Sequence, residues 1–322
     1  MAQGLFFTTS QGLADRLGEL FNFVWANAVA MWTLREEVVR FFTDRVNPTE
    51  EELATRFVKP SGVTSADLRT TCMKWTWDEQ KEQFAKILLF DLCGLYEAWL
   101  EDVVERAMPA GTSDGDLEQI RKGLQFPTGK DKKNRPRGFA VAMSQVNKFR
   151  SAVMIQEFFP VLKAHRKNSW HEMENMLTAY RYFKECRNKM IHTGGVATQE
   201  VVDAYAELSK VAPKDLYLSG PLQLPVVVLS KRIVIALADV VALSNIIHRM
   251  VITLDAALSV TQGCEEDLLK RIEKVLVKGN QLPTADSARR ERRIRSLVRK
   301  SGVPEPQAVA LLEKKLVERF SI

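Results

Sequence analysis

Apolar residues recur every three to four positions along most of the chain, with no sustained apolar–polar alternation. That period predicts helices and no substantial sheet. Leu13, Leu17, Leu20, Phe21, Val24, Ala28 and Trp32 form a stripe within residues 11–46, read as one helix or two in sequence. Asn47-Pro48 breaks it, and Thr49 followed by Glu52 has the form of a capping box opening another short helix. Lys59-Pro60-Ser61-Gly62 reads as a turn and a boundary. A long uninterrupted stripe lies within residues 77–107, where Phe84, Leu88, Leu92, Tyr96, Trp99 and Val103 share a face.

A polar, basic segment follows Met108-Pro109, with Lys130, Lys132, Lys133, Arg135 and Arg137 between two glycines. It has the composition of a loop. Helical patterning then covers about 143–166, 170–191 and 198–211. Residues 212–225 hold three prolines and are irregular, and the apolar run from Val226 to Leu258 reads mainly as one long helix, with a short strand as an alternative at its start. Three charged helices are expected near 265–278, 286–300 and 305–319. The expected fold is all-α, divided into an N-terminal helical region at 1–62, a helical core at 63–260 and a small basic C-terminal helical subdomain at 261–322.

Composition narrows the class. Of 322 residues, 46% are apolar and 27% charged, enough to bury a core and unlike a disordered or collagen-like chain. The formal net charge of +6 suits a polyanionic partner without specifying one. Cys72, Cys93, Cys186 and Cys264 are scattered and the four histidines do not cluster with them, so neither a zinc site nor any other metal or cofactor is expected. Unpaired thiols fit a reducing cytoplasm, and the N-terminus has no signal-peptide pattern. Leu20 to Leu34 is short for a membrane span. Val226 to Leu258 is interrupted by Lys231, Arg232, Asp239, His248, Arg249 and Asp255. Both are read as core helices, and no membrane association is expected.

One segment carries candidate chemistry: Arg187-Asn188-Lys189-Met190-Ile191-His192-Thr193-Gly194-Gly195. Asn188 and His192 are four apart and share a helix face. Arg187 and His192 are five apart, about 140° around an ideal helix. They converge if the helix loosens at Thr193-Gly194, if the arginine swings round, or if two copies face each other. The helix dipole favours a protonated imidazole in the last turn, although burial would oppose it. A histidine suits proton transfer near neutrality, and an arginine suits a phosphate and its developing charge.

This segment resembles the Arg-x4-His signature of the HEPN superfamily, and is most similar to its ribonuclease-L-related branch in prokaryotic defence and toxin systems. The helix ending in residues 88–100, with Glu97 near its middle, resembles that family's first core helix. The resemblance covers about residues 77–258. It implies a helical bundle that dimerises, brings two motifs into one cleft and cleaves RNA without a metal. Arg187 and His192 would then be catalytic, and Asn188 would orient the substrate or the histidine. A regulatory partner or antitoxin is also implied. Toxins of this kind that are silenced by adenylylation carry a tyrosine two residues after the histidine; here that position is Gly194, which does not support that form of control.

Blander readings stand beside these. His192 alone would pass for a helix C-cap, and Asn188 for a structural residue. Glu185 reads as solvated or ion-paired, and His165, His171 and His248 as surface or core residues. Two basic patches, Lys130 to Arg137 and the run containing Arg292, Arg295 and Arg299, read either as solvated faces or as RNA contacts. A non-catalytic nucleotide- or RNA-binding module and a helical protein-interaction module are the competing functions.

Overall fold

The computed structural model describes residues 4–45, 47–63, 65–131, 133–276 and 286–320. The fold is all-α, as the periodicity implies. Two long helices form its centre: α3 (Trp77–Ala107) and α9 (Leu237–Leu258). On α3, Leu88, Leu92, Tyr96, Trp99 and Val103 are buried, the face drawn from the sequence. On α9 burial extends around most of the circumference, because α3, α7 (Met173–His192) and α6 (Phe159–Lys163) all pack on it. The helix is long and apolar enough to cross a membrane, but it is the central core helix here.

The first helix, α1 (Thr8–Asp44), is continuous. Its first half contributes Leu13, Leu17 and Val24 to the main core. Its second half carries a separate small core of Val38, Leu53, Val58, Leu68 and Cys72. The short α2 (Glu50–Leu53) opens on the expected capping box: Thr49 N donates to Glu52 Oε2 at 2.8 Å, and Glu52 N donates to Thr49 Oγ1 at 3.2 Å. Thr76 and Glu79 repeat the device at the start of α3.

Several local expectations are corrected. Residues 114–123 form α4 (Asp114–Gly123), N-capped by Ser113, where only polar loop was expected. The basic loop is a small antiparallel hairpin, β1 (Gly129–Lys130) with β2 (Pro136–Arg137). The expected helix at 143–166 is broken into α5 (Phe139–Val146), a π turn at Met154–Phe158 and α6. Pro160 lacks the N–H that would continue a regular ladder. Arg150 is extended and bridges to Thr261. The apolar run before α9 is irregular up to Ala236.

Beyond α7 and α8 (Gln199–Leu208), three helices complete the chain: α10 (Gln262–Val275), α11 (Ser287–Lys300) and α12 (Ala310–Phe320). Their Leu268, Ile272, Ile294, Val298, Leu312 and Leu316 join the same core cluster as α3 and α9. Buried Glu157 fixes the last helix, accepting N–H bonds from Leu311 at 2.6 Å and Leu312 at 3.1 Å.

Candidate active site

The last turns of α7 place the motif. The helix is regular through His192 and stops where Gly194 and Gly195 take φ of 64° and 79°, a region that disfavours side chains with a Cβ. Thr193 N and Gly195 N both donate to Lys189 O, at 2.9 and 3.0 Å. The chain is then pinned by a neighbouring segment, with Ile233 N donating to Gly195 O at 2.8 Å and Ala197 N to Lys231 O at 2.8 Å. The chain leaves the helix at Thr193 and Gly194, the place expected from the sequence, but His192 itself stays within the regular helix, so this departure does not turn it toward Arg187.

Arg187 and His192 therefore look in different directions. Arg187 is half-buried against α3, its Nη2 3.7 Å from Glu97 Oε2. Lys184, one turn earlier, pairs with Glu97 Oε1 at 2.8 Å and touches Gln125. Glu97 thus holds two cations from α7 at one place on α3. Arg187 Nη1 donates to Asn188 Oδ1 at 3.1 Å, while its Nε is buried without a hydrogen-bond partner. His192 is exposed and makes no hydrogen bond or ion pair with the described residues. Asn188 links the two directions, touching Arg187 while lying one turn from His192. Arg187 is held at Glu97 and Asn188, and no hydrogen bond or ion pair joins it to His192 among the described residues.

Cys186, beside the motif, is fully buried, and burial pushes its thiol up to about 12. The same cause pushes Cys93 up to about 12. Neither is a nucleophile near neutrality.

A cavity opens beside α7 one to two turns before the motif. Arg181, Glu185, Asn188 and His192 follow one another at spacings of four, three and four, a single helical stripe. Arg181 and Glu185 line a cavity of about 520 Å³, whose far wall is the hairpin and α4, including Arg137 and Lys122. Neither Arg137 nor Arg181 is paired with a carboxylate among the described residues. Close backbone approaches shape the walls: a Cβ on Gly123 would lie 2.6 Å from Ala142 Cβ, and one on Gly138, at φ +86°, would lie 2.2 Å from Pro127 O. Thr128 anchors the hairpin to the first turn of α7, its N–H donating to Glu174 Oε2 at 2.8 Å. Gly138→Ala is expected to destabilise the protein by about 2 kcal/mol and expose the hairpin. A thermal melt together with limited proteolysis between Thr128 and Gly138 checks this; an unchanged melt and cleavage pattern would show that the wall yields freely.

The two basic patches fare differently. On the hairpin, Lys130, Lys133 and Arg137 are exposed, whereas Arg135 is paired with Asp131 at 2.7 Å. Lys132 lies outside the described residues. On α11 the three arginines expected on one face, Arg292, Arg295 and Arg299, each have a partner within the chain. Arg295 is bound to Glu291 at 2.8 Å and donates to Pro306 O at 2.6 Å, so it braces the loop before α12. Arg299 pairs with Glu305 at 3.0 Å. Arg292 Nε donates back to Ala288 O at 3.3 Å. The principal packing partner of α11 is α10 rather than α7. Sequence reading missed Lys184, Arg181 and Lys122. The four-residue step from Arg181 to Glu185 was the available signal, but nothing in the sequence says what faces it.

No group of three or more His, Cys, Asp or Glu side chains among the described residues is arranged to hold a metal ion. Comparison with protein-family models, with curated proteins and with solved structures found no match to this chain.

Proposed function

We infer that this protein is a HEPN-type endoribonuclease whose active site is shared between two copies of the chain. The observation that carries the reading is the Arg187–Glu97–Lys184 arrangement beside an unencumbered His192. A half-buried carboxylate holds the arginine, and the exposed histidine is left open to a substrate. In the proposed reaction the RNA 2′-hydroxyl attacks the adjacent phosphorus, its proton passing to one histidine. The 5′-oxygen leaves with a proton from a second acid, and a 2′,3′-cyclic phosphate remains. At each of the two sites that histidine is His192 of one copy, facing Arg187 of the other, and a solvent water is the second acid. Arg187 stabilises the extra negative charge on the phosphorane-like transition state, and Asn188 holds the arginine toward that charge.

What supports a second copy is the exposed apolar surface around the motif. Ile191 and Val196 flank His192, and Val228 and Leu229 belong to the segment that pins Gly195 and Ala197; all four are at least 40% exposed. Apolar groups gathered beside a polar site are a recurrent mark of an interface. What supports RNA as the substrate is the cavity lined by Arg137 and Arg181, on the helical stripe that continues to His192, with exposed Lys130 and Lys133 on the same hairpin. A role in defence or as a toxin, acting in the cytoplasm and held by a regulatory partner, follows from the resemblance and is part of the same proposal.

The test is incubation of the full chain with mixed cellular RNA in EDTA. The wild type is expected to produce fragments with cyclic-phosphate ends, and folded His192→Ala to produce none. Equal cleavage by both proteins would remove His192 from the mechanism. RNA binding without cleavage by the wild type would favour the non-catalytic binding module.

A further inference from the structure

At the other end of α7 from His192, basic side chains gather without acidic partners. The turn after α6 presents His165 and Lys167, and α9 presents His248 and Arg249. Lys167 Nζ lies 3.3 Å from His248 Nδ1. The Arg249 guanidinium lies over the Tyr217 ring, 4.1 Å from its centroid, and donates to Ser169 Oγ at 3.3 Å. Ser169 N in turn donates to Thr253 Oγ1 at 2.9 Å, which ties the turn to α9. Neither Lys167 nor Arg249 has a carboxylate within ion-pair distance among the described residues.

The electrostatics follow from this crowding. Burial lowers His248 to about 4, and the nearby Lys167, His165 and Arg249 push in the same direction. His165 is lowered by burial and by Lys167 and Arg166. Lys167 is itself lowered, by burial and by Arg249 and Arg166. Every neighbouring charge acting on these three groups is positive. A neutral His248 accepting from the lysine is consistent with such a local excess of positive charge, which a bound anion would relieve.

A cavity of about 500 Å³ opens over Lys167 and Arg249. Ala238, Ala242 and Asn245 of α9 form its floor, and the small alanines leave it room. Its wall is the loop from Tyr217 to Gln223. Tyr217 adopts a left-handed φ of 54°, unusual for a bulky residue, and this places its ring under Arg249. Asp239 is the one carboxylate in the lining. Both its oxygens accept backbone N–H groups, from Gln223 at 2.6 Å and Leu224 at 2.9 Å. Ten residues of helix separate it from Arg249, about 15 Å, so the cavity is cationic at one end and acidic at the other.

We propose that this cavity binds a small phosphorylated molecule of mononucleotide size, its phosphate held between Lys167 Nζ and the Arg249 guanidinium. The stacked guanidinium is already oriented, which suits the planar, two-pronged recognition that arginine gives a phosphate. The volume falls within the range of small-ligand sites. The proposal is independent of the ribonuclease reading.

The experiment is a thermal melt of the full chain with inorganic phosphate, compared with chloride at equal ionic strength. At ten times its Kd, phosphate is expected to raise Tm by about 2 °C. Lys167→Gln and Arg249→Gln are each expected to abolish that rise, and Arg137→Gln to leave it intact. In NMR spectra of the wild type, phosphate is expected to shift the His248 ring signals. No rise beyond chloride, or an equal rise in Lys167→Gln, would overturn the proposal, as would unmoved His248 signals. Adenosine 5′-monophosphate is expected to bind at least as tightly as a 5′-phosphorylated RNA oligonucleotide. The reverse order would overturn a free small molecule as the ligand.

Discussion

Equal amounts of the Arg187→Ala and His192→Ala proteins, each inactive alone, are expected to recover about a quarter of wild-type RNA cleavage when mixed and allowed to exchange protomers. Each substitution alone is expected to reduce cleavage roughly 100-fold to 10,000-fold, the range for removing a proton-transfer group or a charge-stabilising donor. The recovery follows from the geometry of α7. The helix is regular through His192, so its side chain and that of Arg187 start about 140° apart. Arg187 is also held at Glu97. A site combining the two draws one residue from each copy. Random exchange makes half of the dimers mixed, and one of the two sites in each mixed dimer then keeps both wild-type residues. Measuring initial cleavage rates after exchange, with protomer exchange followed by size-exclusion of a tagged copy, gives the result directly. Exchange without recovered cleavage would sink the shared site and require Arg187 and His192 to act within one chain.

Asp255→Ala is expected to lower stability by roughly 4 kcal/mol, because it strands buried donors that cost about 1–3 kcal/mol each. Asp255 is fully buried on α9. Its carboxylate accepts the N–H of Phe6 at 2.8 Å and of Phe7 at 3.1 Å, just ahead of α1. The Ser10 hydroxyl lies against it and accepts from Trp99 Nε1 at 3.0 Å. Arg271 closes the group, lying over the Phe6 ring and donating to Phe6 O at 3.0 Å. The loss corresponds to a Tm fall of roughly 6 °C for a chain of this length. Asp255→Asn keeps one acceptor and is expected to fall between the two. A fall under about 1 °C for the alanine variant would mean that water or a rearranged N-terminus replaces the carboxylate.

The same residue makes a pH prediction. Burial pushes Asp255 up to about 6 from an ordinary 3.8. Its folded pKa is raised, so the stability it contributes is full below about pH 4 and is lost as pH rises through about 6. The advantage of wild type over Asp255→Asn is therefore expected to shrink across that window, measured by denaturant melts at each pH. His248, lowered to about 4, acts in the opposite sense, since the unfolded chain binds its proton first as pH falls. Both proteins carry it, so it leaves the difference unchanged.

Much of the fold was legible because helical periodicity and end signals are local. The stripe on α3, the Thr49–Glu52 box and the Gly194-Gly195 stop each depend on residues within a turn or two of one another. The misreadings have local causes of another kind. Ser113 capping α4 was hidden in a polar stretch, and the extended turn at Arg150 interrupts a helix whose apolar pattern continues across it. The apolar run before α9 also lacked a helix, since apolar residues in irregular chain look no different in sequence from helical ones.

The sequence by itself determined which residues carry the candidate chemistry and which helix holds them. It also determined that Arg187 and His192 leave a regular helix in different directions, since that angle is a property of α-helical geometry alone. The tertiary structure decided what each direction meets. It set Glu97 against Arg187 and Lys184, aligned the hairpin's Arg137 with Arg181 in one cavity, and committed Arg295 to a loop instead of a free basic face. It also gave Asp255, an interruption in an apolar run, the task of capping the N-terminus some 250 residues away. These are contacts between segments distant in the chain, fixed by how whole helices pack, and no local pattern encodes them.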